Sequence, residues 1–587
     1  MGHRVRSILV AFALLLGCAE AFGAASSAWR AEAEIDSAAT ASPAETFEKS
    51  VDLRPLAEIA VQSGGRIKSL GSFAQGEMGF ISGPRLVNGQ SPLFTYFDLL
   101  IRPEAYEDAD VIFVKGGSVR QRIADAVLRE DPTLEERMRA FQSSGLVSAA
   151  LLARDGVAEV LEQMQGDLLR TAKVMDAVRG AQMLMQTDAL LRGLRIVPPA
   201  PSDADQRWHS ISEVMLLAAD AGAIKASGKE VLPVAGLDVA LQQQCAAQWR
   251  SMVEAWINGD AQRVNASARA LAALLPTLNP SASPDPARLR WEAWYFASGN
   301  LSWIWLVYAL SVILLLLAVV YRWPRARSAG LVVFALAFLL QTLALALRWW
   351  ISARFPNSNM FEAVTTSAWF GGCAAVILEV ALRRRAVAGL IALASAFASA
   401  VALMSAHFLP VQLNAQIGNM MPVLHDVWLY IHTNVIIFSY CLIFMAAVSA
   451  ALYLAYRALG GKRVHASVGG VAALSPEGMG GLRSERTGEV LDGVTMLLMK
   501  LSFVLLWAGI AMGAIWADHS WGRPWGWDPK EVFALNTFVV FAVLVHVRYR
   551  AIDKGLWTAL LAVVGAAVML FNWIVINFVI TGLHSYA

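Results

Sequence analysis

The stretch LSWIWLVYALSVILLLLAVVY, Leu301 to Tyr321, carries no charged side chain. At a helical rise of ~1.5 Å per residue, a run of this length matches the ~30 Å apolar thickness of a bilayer. Similar apolar runs recur near 328–347, 365–382, 386–404, 430–456, 493–516, 532–549 and 557–579. In lipid every backbone N–H and C=O must be satisfied internally, so long uninterrupted runs of this kind read as helices. The fold class is therefore all-α: a polytopic membrane helix bundle of about eight spans occupying residues 301–587.

Basic residues indicate which loops remain cytoplasmic. Arg322, Arg325 and Arg327, then Arg383 to Arg385, then Arg457, Lys462, Arg463, Arg483 and Arg486, then Arg548, Arg550 and Lys554 fall in alternate loops. The loops around 348–364, 405–429 and 517–531, and the C-terminus, then face outward. Upstream, Arg4 and Arg6 precede an apolar stretch from Ile8 to Leu16 and small residues around Ala21 to Ala25, so residues 1–24 read as a signal peptide or signal anchor.

Residues 25–300 have ordinary soluble composition, with charged helical patterns such as Ser118 to Arg129 and Leu134 to Phe141 broken by Gly and Pro. They read as a mostly helical exported domain on the same side as the outer loops. In a bacterium this describes an integral protein of the cytoplasmic (inner) membrane, its N-terminal domain and C-terminus periplasmic. Gly64-Gly65-Arg66-Ile67-Lys68-Ser69-Leu70 reads as a turn and a short strand or loop; with no catalytic constellation nearby, a docking or chaperoning module is the favoured role.

Composition narrows the function classes. The chain is 57% hydrophobic and 16% charged with a net charge of +2, which leaves no basic footprint for nucleic acid. Cys18, Cys245, Cys373 and Cys441 are scattered without any CxxC, so no zinc knuckle or disulfide framework is available. Without CxxCH, the chain is not itself a c-type cytochrome. Glu379, one turn before Arg383, reads as an intrahelical ion pair at the inner rim.

Chemistry concentrates in one outward loop, assigned to 516–531, where Trp521, Gly522, Arg523, Pro524, Trp525, Gly526, Trp527 and Asp528 are followed by Lys530 and Glu531. Tryptophan combines a broad apolar face with one N–H donor, which suits an interfacial belt or the face of a planar aromatic ligand. The interleaved charges and glycines favour the ligand, since a porphyrin needs stacking for its ring and donors for its propionates.

The run WGRPWGWDPKE, with Leu583-His584-Ser585-Tyr586 at the C-terminus, resembles the signature of the CcsA (ResC-like) family of cytochrome c biogenesis proteins, within the heme-handling superfamily that includes CcmC and CcmF. Arg348 with Phe355-Pro356-Asn357-Ser358-Asn359-Met360-Phe361-Glu362 fits as well. So do Trp428-Leu429-Tyr430-Ile431-His432 ahead of Ser439-Tyr440, and His546-Val547-Arg548. The resemblance covers roughly residues 300–587.

It implies that His432 and His584 are external axial ligands of heme iron, that Trp521 to Asp528 cradle the porphyrin, and that His546 serves an intramembrane heme site. Topology is consistent with it: His432 opens the fifth span and His584 follows the eighth, both outward, with Trp428 one helical turn before His432 on the same face. His425, His519 and His407 lie outward but outside the motif. His546, about fifteen residues past Glu531, sits ~22 Å deeper in the seventh span.

The resemblance further implies that heme b is a transported, non-covalently bound substrate, attached outside through thioethers to the CxxCH of an apocytochrome c. It implies a component of a holocytochrome c synthase complex, with a separate CcsB/ResB-like membrane subunit donating the second ligand for His546. A CcmC- or CcmF-like carrier without synthase activity is the alternative within the superfamily. A di-heme electron-transfer subunit is the alternative outside it.

Overall fold

A computed structural model describes residues 43–166, 171–215, 234–321, 323–382, 389–419, 426–466 and 485–576. The signal segment, His425 and His584 lie outside the described residues. The chain clusters into two compact units, one within Ala33–Ser298 and the other from Gly299 onward.

The first unit is helical with two small two-stranded antiparallel sheets, the first a hairpin and the second pairing Ile112–Phe113 with Leu146–Val147 across two intervening α-helices. Strands Ala60–Ser63 and Arg66–Ser69 pair antiparallel, Ser63 opposite Arg66. Gly64 and Gly65, both at positive φ (58° and 76°), form the two-residue turn, whose geometry requires left-handed backbone at both central positions. Ser69 then caps helix Leu70–Ile81, its hydroxyl accepting the N–H of Ser72 at 3.2 Å. The charged patterns read upstream form helices Gly117–Glu130 and Glu135–Ser144. The core includes an aromatic cluster: Tyr96, Phe97, Trp249 and Trp256 are all buried, and Asp98 is satisfied inside by Trp256 Nε1 and the Tyr106 hydroxyl, each at 2.7 Å.

The second unit is the helical membrane bundle. Its eight spans are Gly299–Tyr321, Pro324–Ser352, Met360–Ala381, Leu390–Phe408, Val427–Ala458, Thr487–Trp521, Pro529–Arg548 and Lys554–Val575. The fourth is the most enclosed, with Ala392, Ala394, Ala396, Ser395 and Ser399 all buried, because small side chains let neighbouring helices approach. The seventh is the least enclosed. Exposed Trp303, Trp349 and Trp350 at one end of the bundle, and Trp323 and Trp557 at the other, mark the two interfacial aromatic belts.

The fifth and sixth spans form the most extensive helix pair and run antiparallel. Ser439 Oγ–H donates to the Ser502 carbonyl at 3.0 Å, and Ser449 Oγ–H to the Leu491 carbonyl at 3.1 Å. Glu379 has a role beyond the pair read from sequence. Its carboxylate accepts the backbone N–H groups of Gly389 (2.8 Å) and Ala392 (3.1 Å), and so caps the fourth span; Arg383 lies outside the described residues. A carboxylate at a helix start is held by unsatisfied N–H donors and the positive end of the macrodipole.

Candidate functional site

His432 lies six residues past the N-cap Asp426, roughly 9 Å into the fifth span. Its Nδ1 is 2.7 Å from the carbonyl oxygen of Gly509 on the sixth span. A carbonyl can only accept, so Nδ1 carries a proton; in the neutral ring the lone pair is then on Nε2, the tautomer a metal takes. The ring fits there because span six presents glycines: a Cβ on Gly513 would lie 2.6 Å from His432 Cε1, and one on Gly509 2.8 Å from Ile436 Cγ1. Gly509-Ile510-Ala511-Met512-Gly513 is a small-xxx-small pattern that lets helices pack closely. This signal was present in the sequence and missed. The same register brings Asp426 Oδ2 to 3.8 Å from His519 Nδ1 at the helix ends.

A second group of residues frames this point from the side. Glu362 is fully buried and clasps two guanidiniums: Arg348 through Nε (2.9 Å) and Nη2 (2.8 Å), and Arg354 through Nη1 (2.9 Å). The carboxylate also accepts the Ser358 N–H (2.8 Å) and hydroxyl (3.0 Å), while Arg348 Nη1 donates to the Ala415 carbonyl at 2.9 Å. The clasp folds residues 354–359 so that Asn357 Nδ2 reaches Thr433 Oγ1, beside His432, at 3.4 Å. The motif containing Phe355 to Glu362 is thus tied by a hydrogen bond to the residue that follows the histidine; the sequence showed the residues but not the clasp.

The tryptophan segment differs in extent from the 516–531 loop read from sequence. Helix continues through Trp521 and the loop proper is 522–528. Gly522 stops the helix: at φ 69° it takes the left-handed conformation that favours glycine, and its N–H donates to the Asp518 carbonyl at 2.8 Å. Trp521 therefore belongs to the helix and packs edge-on against buried Trp516, ring centres 4.8 Å apart. Trp525 and Trp527 belong to the loop, 5.9 Å apart and also edge-on.

Asp528 begins span seven with a capping box, and Pro529 occupies the first helical position, where its missing N–H costs nothing. Glu531 Oε2 accepts the N–H of Asp528 (3.1 Å) and that of Gly526 (2.8 Å). Asp528 and Glu531 thus shape the loop from below. Gly526 is where the Arg523 side chain folds back, its guanidinium 3.3 Å from where a Cβ would stand. Trp527 projects outward, 72% exposed, and Lys530 is half-buried. Eight residues separate Gly513 from Trp521, so the loop begins roughly 12 Å along the helix from His432.

Other histidines are placed differently. His407 Nδ1 is 2.9 Å from Ser302 Oγ, and His519 is exposed. His546 is not brought to this end of the bundle. Its Nδ1 donates to the Ala542 carbonyl at 2.7 Å, and the ring is exposed on the bundle's outer surface. Asn536, Val539, Val543 and His546 form one exposed stripe at helical spacing. Arg548, on the opposite side, turns inward to a bidentate pair with buried Asp492, Nη1–Oδ1 2.8 Å and Nη2–Oδ2 2.7 Å.

The family profile described as Cytochrome C assembly protein matches residues 357–584, a range that includes His432, the tryptophan loop and His546. The cytochrome c biogenesis protein CcsA of Parasynechococcus marenigrum is 34% identical over 261 residues, covering 43% of this chain and 84% of that protein. That of Synechococcus sp. (strain CC9605) is 34% identical over 269 residues, covering 44% and 87%. That of Prochlorococcus marinus (strain MIT 9313) is 33% identical over 268 residues, covering 43% and 82%. With an eight-span helical bundle and these relatives matched over most of their length, the chain belongs to the CcsA family of cytochrome c biogenesis proteins and is an integral membrane protein of cytochrome c assembly.

Proposed function

We propose that the chain carries heme b across the bacterial cytoplasmic membrane as a non-covalently bound substrate and presents it on the periplasmic side for attachment to apocytochrome c. The observation that carries this reading is the His432–Gly509 bond, in which Nδ1 donates to the carbonyl, so that the neutral ring would present Nε2 to a metal. His432 and His584 would hold the iron from opposite faces. Trp521, Gly522, Trp525, Trp527 and Asp528 would form the porphyrin platform, with Trp428 beside the ligand. Arg523 and Lys530 would offer cationic donors to the propionates, and Glu531 would keep the loop in shape.

Thioether formation consists of the two CxxCH thiols of the client adding across the two heme vinyl groups. The residues of this chain contribute position and control of iron ligation, and the client histidine replaces one imidazole. His546 would serve the intramembrane stage. Its exposure supports a separate CcsB/ResB-like subunit, because an imidazole and the Asn536 amide on a lipid-facing stripe are costly unless another chain covers them.

The test is to purify the chain with and without such a subunit and record heme spectra for His432→Ala, His584→Ala and His546→Ala. Loss of the six-coordinate spectrum in the two outer variants, recovered by added imidazole, is expected; unchanged spectra in both would sink the external-site assignment. Attachment of heme to an apocytochrome in the reconstituted complex separates a synthase from a carrier.

A further inference from the structure

Helix Pro286–Ala297 closes the first unit, and its rotation about its own axis is fixed from within. Leu289, Glu292, Tyr295 and Phe296 are buried, and the Glu292 carboxylate receives the Ser69 N–H (3.2 Å), the Ser72 hydroxyl (3.0 Å) and the Arg66 guanidinium. Turning the helix would strip a buried charge of its partners. The remaining face, Arg290, Trp291, Trp294 and Ala297, is therefore held outward at helical spacing. Trp291 is 44% and Trp294 46% exposed, their rings edge-on with centres 5.4 Å apart.

Two adjacent solvent-facing indoles form an apolar patch of the kind that marks an interaction surface. Chain continuity identifies what meets it. Trp294 precedes Gly299, the first residue of the first membrane span, by five residues, and even a fully extended chain of that length reaches only about 17 Å. The headgroup layer flanking the apolar core is itself several ångströms thick, and tryptophan beside arginine is the pairing that settles there.

We propose that the Arg290–Trp291–Trp294–Ala297 face is a lipid-binding seat: the indoles lie among the headgroups and upper acyl chains, and Arg290 meets lipid phosphates. The seat anchors the end of the first unit independently of any heme chemistry. It is formed by the chain's own connectivity, so it exists whether or not a protein partner is bound.

The test uses the full chain in nanodiscs of phosphatidylcholine and phosphatidylglycerol, with a spin label on Ala297→Cys, which keeps both indoles, and separately on Trp294→Cys. The signal of the equally treated parent chain is subtracted. Collision with oxygen, which partitions into lipid, is compared with collision with a water-soluble nickel chelate, and exposed Ile257→Cys serves as the water reference. The expected result is an oxygen-to-nickel ratio several-fold higher at 294 and 297 than at 257. A ratio equal to that at 257 overturns the proposal, as does shielding from both agents, which would assign the face to a protein partner.

Discussion

At the scale of single residues, the site depends on how one imidazole is held. His432 donates from Nδ1 to a helix carbonyl and is confined by a glycine, so both its tautomer and its position depend on span six. Gly513→Ala is expected to push the ring aside at a cost of about 1–3 kcal/mol, the usual range for overpacking. Heme spectra of the purified variant should show weakened or lost ligation while the far-ultraviolet circular dichroism stays helical. Glu362 is the second sensitive residue: Glu362→Gln leaves Arg348 and Arg354 facing a neutral amide inside the bundle. Removing one partner of a buried pair typically costs about 3–5 kcal/mol, so thermal unfolding in detergent should fall markedly. The sequence named His432 and Glu362 but could not foresee either arrangement, because a histidine's tautomer and a carboxylate's partners are set by other spans.

At the scale of elements, the number and place of the spans were legible because lipid requires each to be apolar over at least its own thickness. The tryptophan loop was read too long for a local reason. Tryptophan and histidine at 516–521 look like loop residues beside a belt, yet the helix runs on until Gly522 supplies a left-handed stop. Asp528 and Glu531 read from sequence as charges interleaved with a ligand platform; their carboxylates also cap span seven and bind the loop's own N–H groups. Glu531→Ala is therefore expected to weaken the cap by on the order of 1 kcal/mol. Hydrogen exchange should quicken at the Gly526 and Asp528 amides and remain unchanged in the middle of span seven.

At the far end of the bundle, Asp553 ties the loop before span eight to Arg457, both Nη1 contacts at 2.7 Å. Burial works to raise the Asp553 carboxyl, but the Arg457 bond and nearby Arg463 prevail and hold it below the usual carboxylate range. A carboxyl depressed in the folded state contributes stability above its unfolded pKa of about 4 and loses it as pH falls through the lower folded value. Asp553→Asn should therefore flatten the acid limb of the stability curve, which detergent unfolding below pH 5 would reveal.

At the scale of the whole molecule, the class and family could be read from the chain because hydropathy and motif order survive without coordinates. What stayed hidden were contacts between segments far apart in sequence: Asn357 with Thr433, Arg348 with Ala415, Asp492 with Arg548. Each joins two spans or a span and a loop through one polar side chain, and no periodicity announces it. The exposed stripe Asn536–Val539–Val543–His546 likewise emerged only from packing. Its polar ends predict that Asn536→Leu should leave the isolated chain folded but reduce co-purification of a CcsB/ResB-like subunit, measurable by affinity pull-down in mild detergent.

Trp527 has a further consequence. Its backbone sits in the left-handed region at φ 56°, a conformation that costs a bulky residue on the order of 1 kcal/mol and persists only because the capped helix start beside it over-determines the turn. The backbone that carries the indole is thus fixed at the surface. A flat guest settling on it would not have to order that stretch of backbone, so this part of the entropic penalty of association should be small. Relaxing the turn by freeing the cap would trade the same contacts for a larger ordering cost at each encounter.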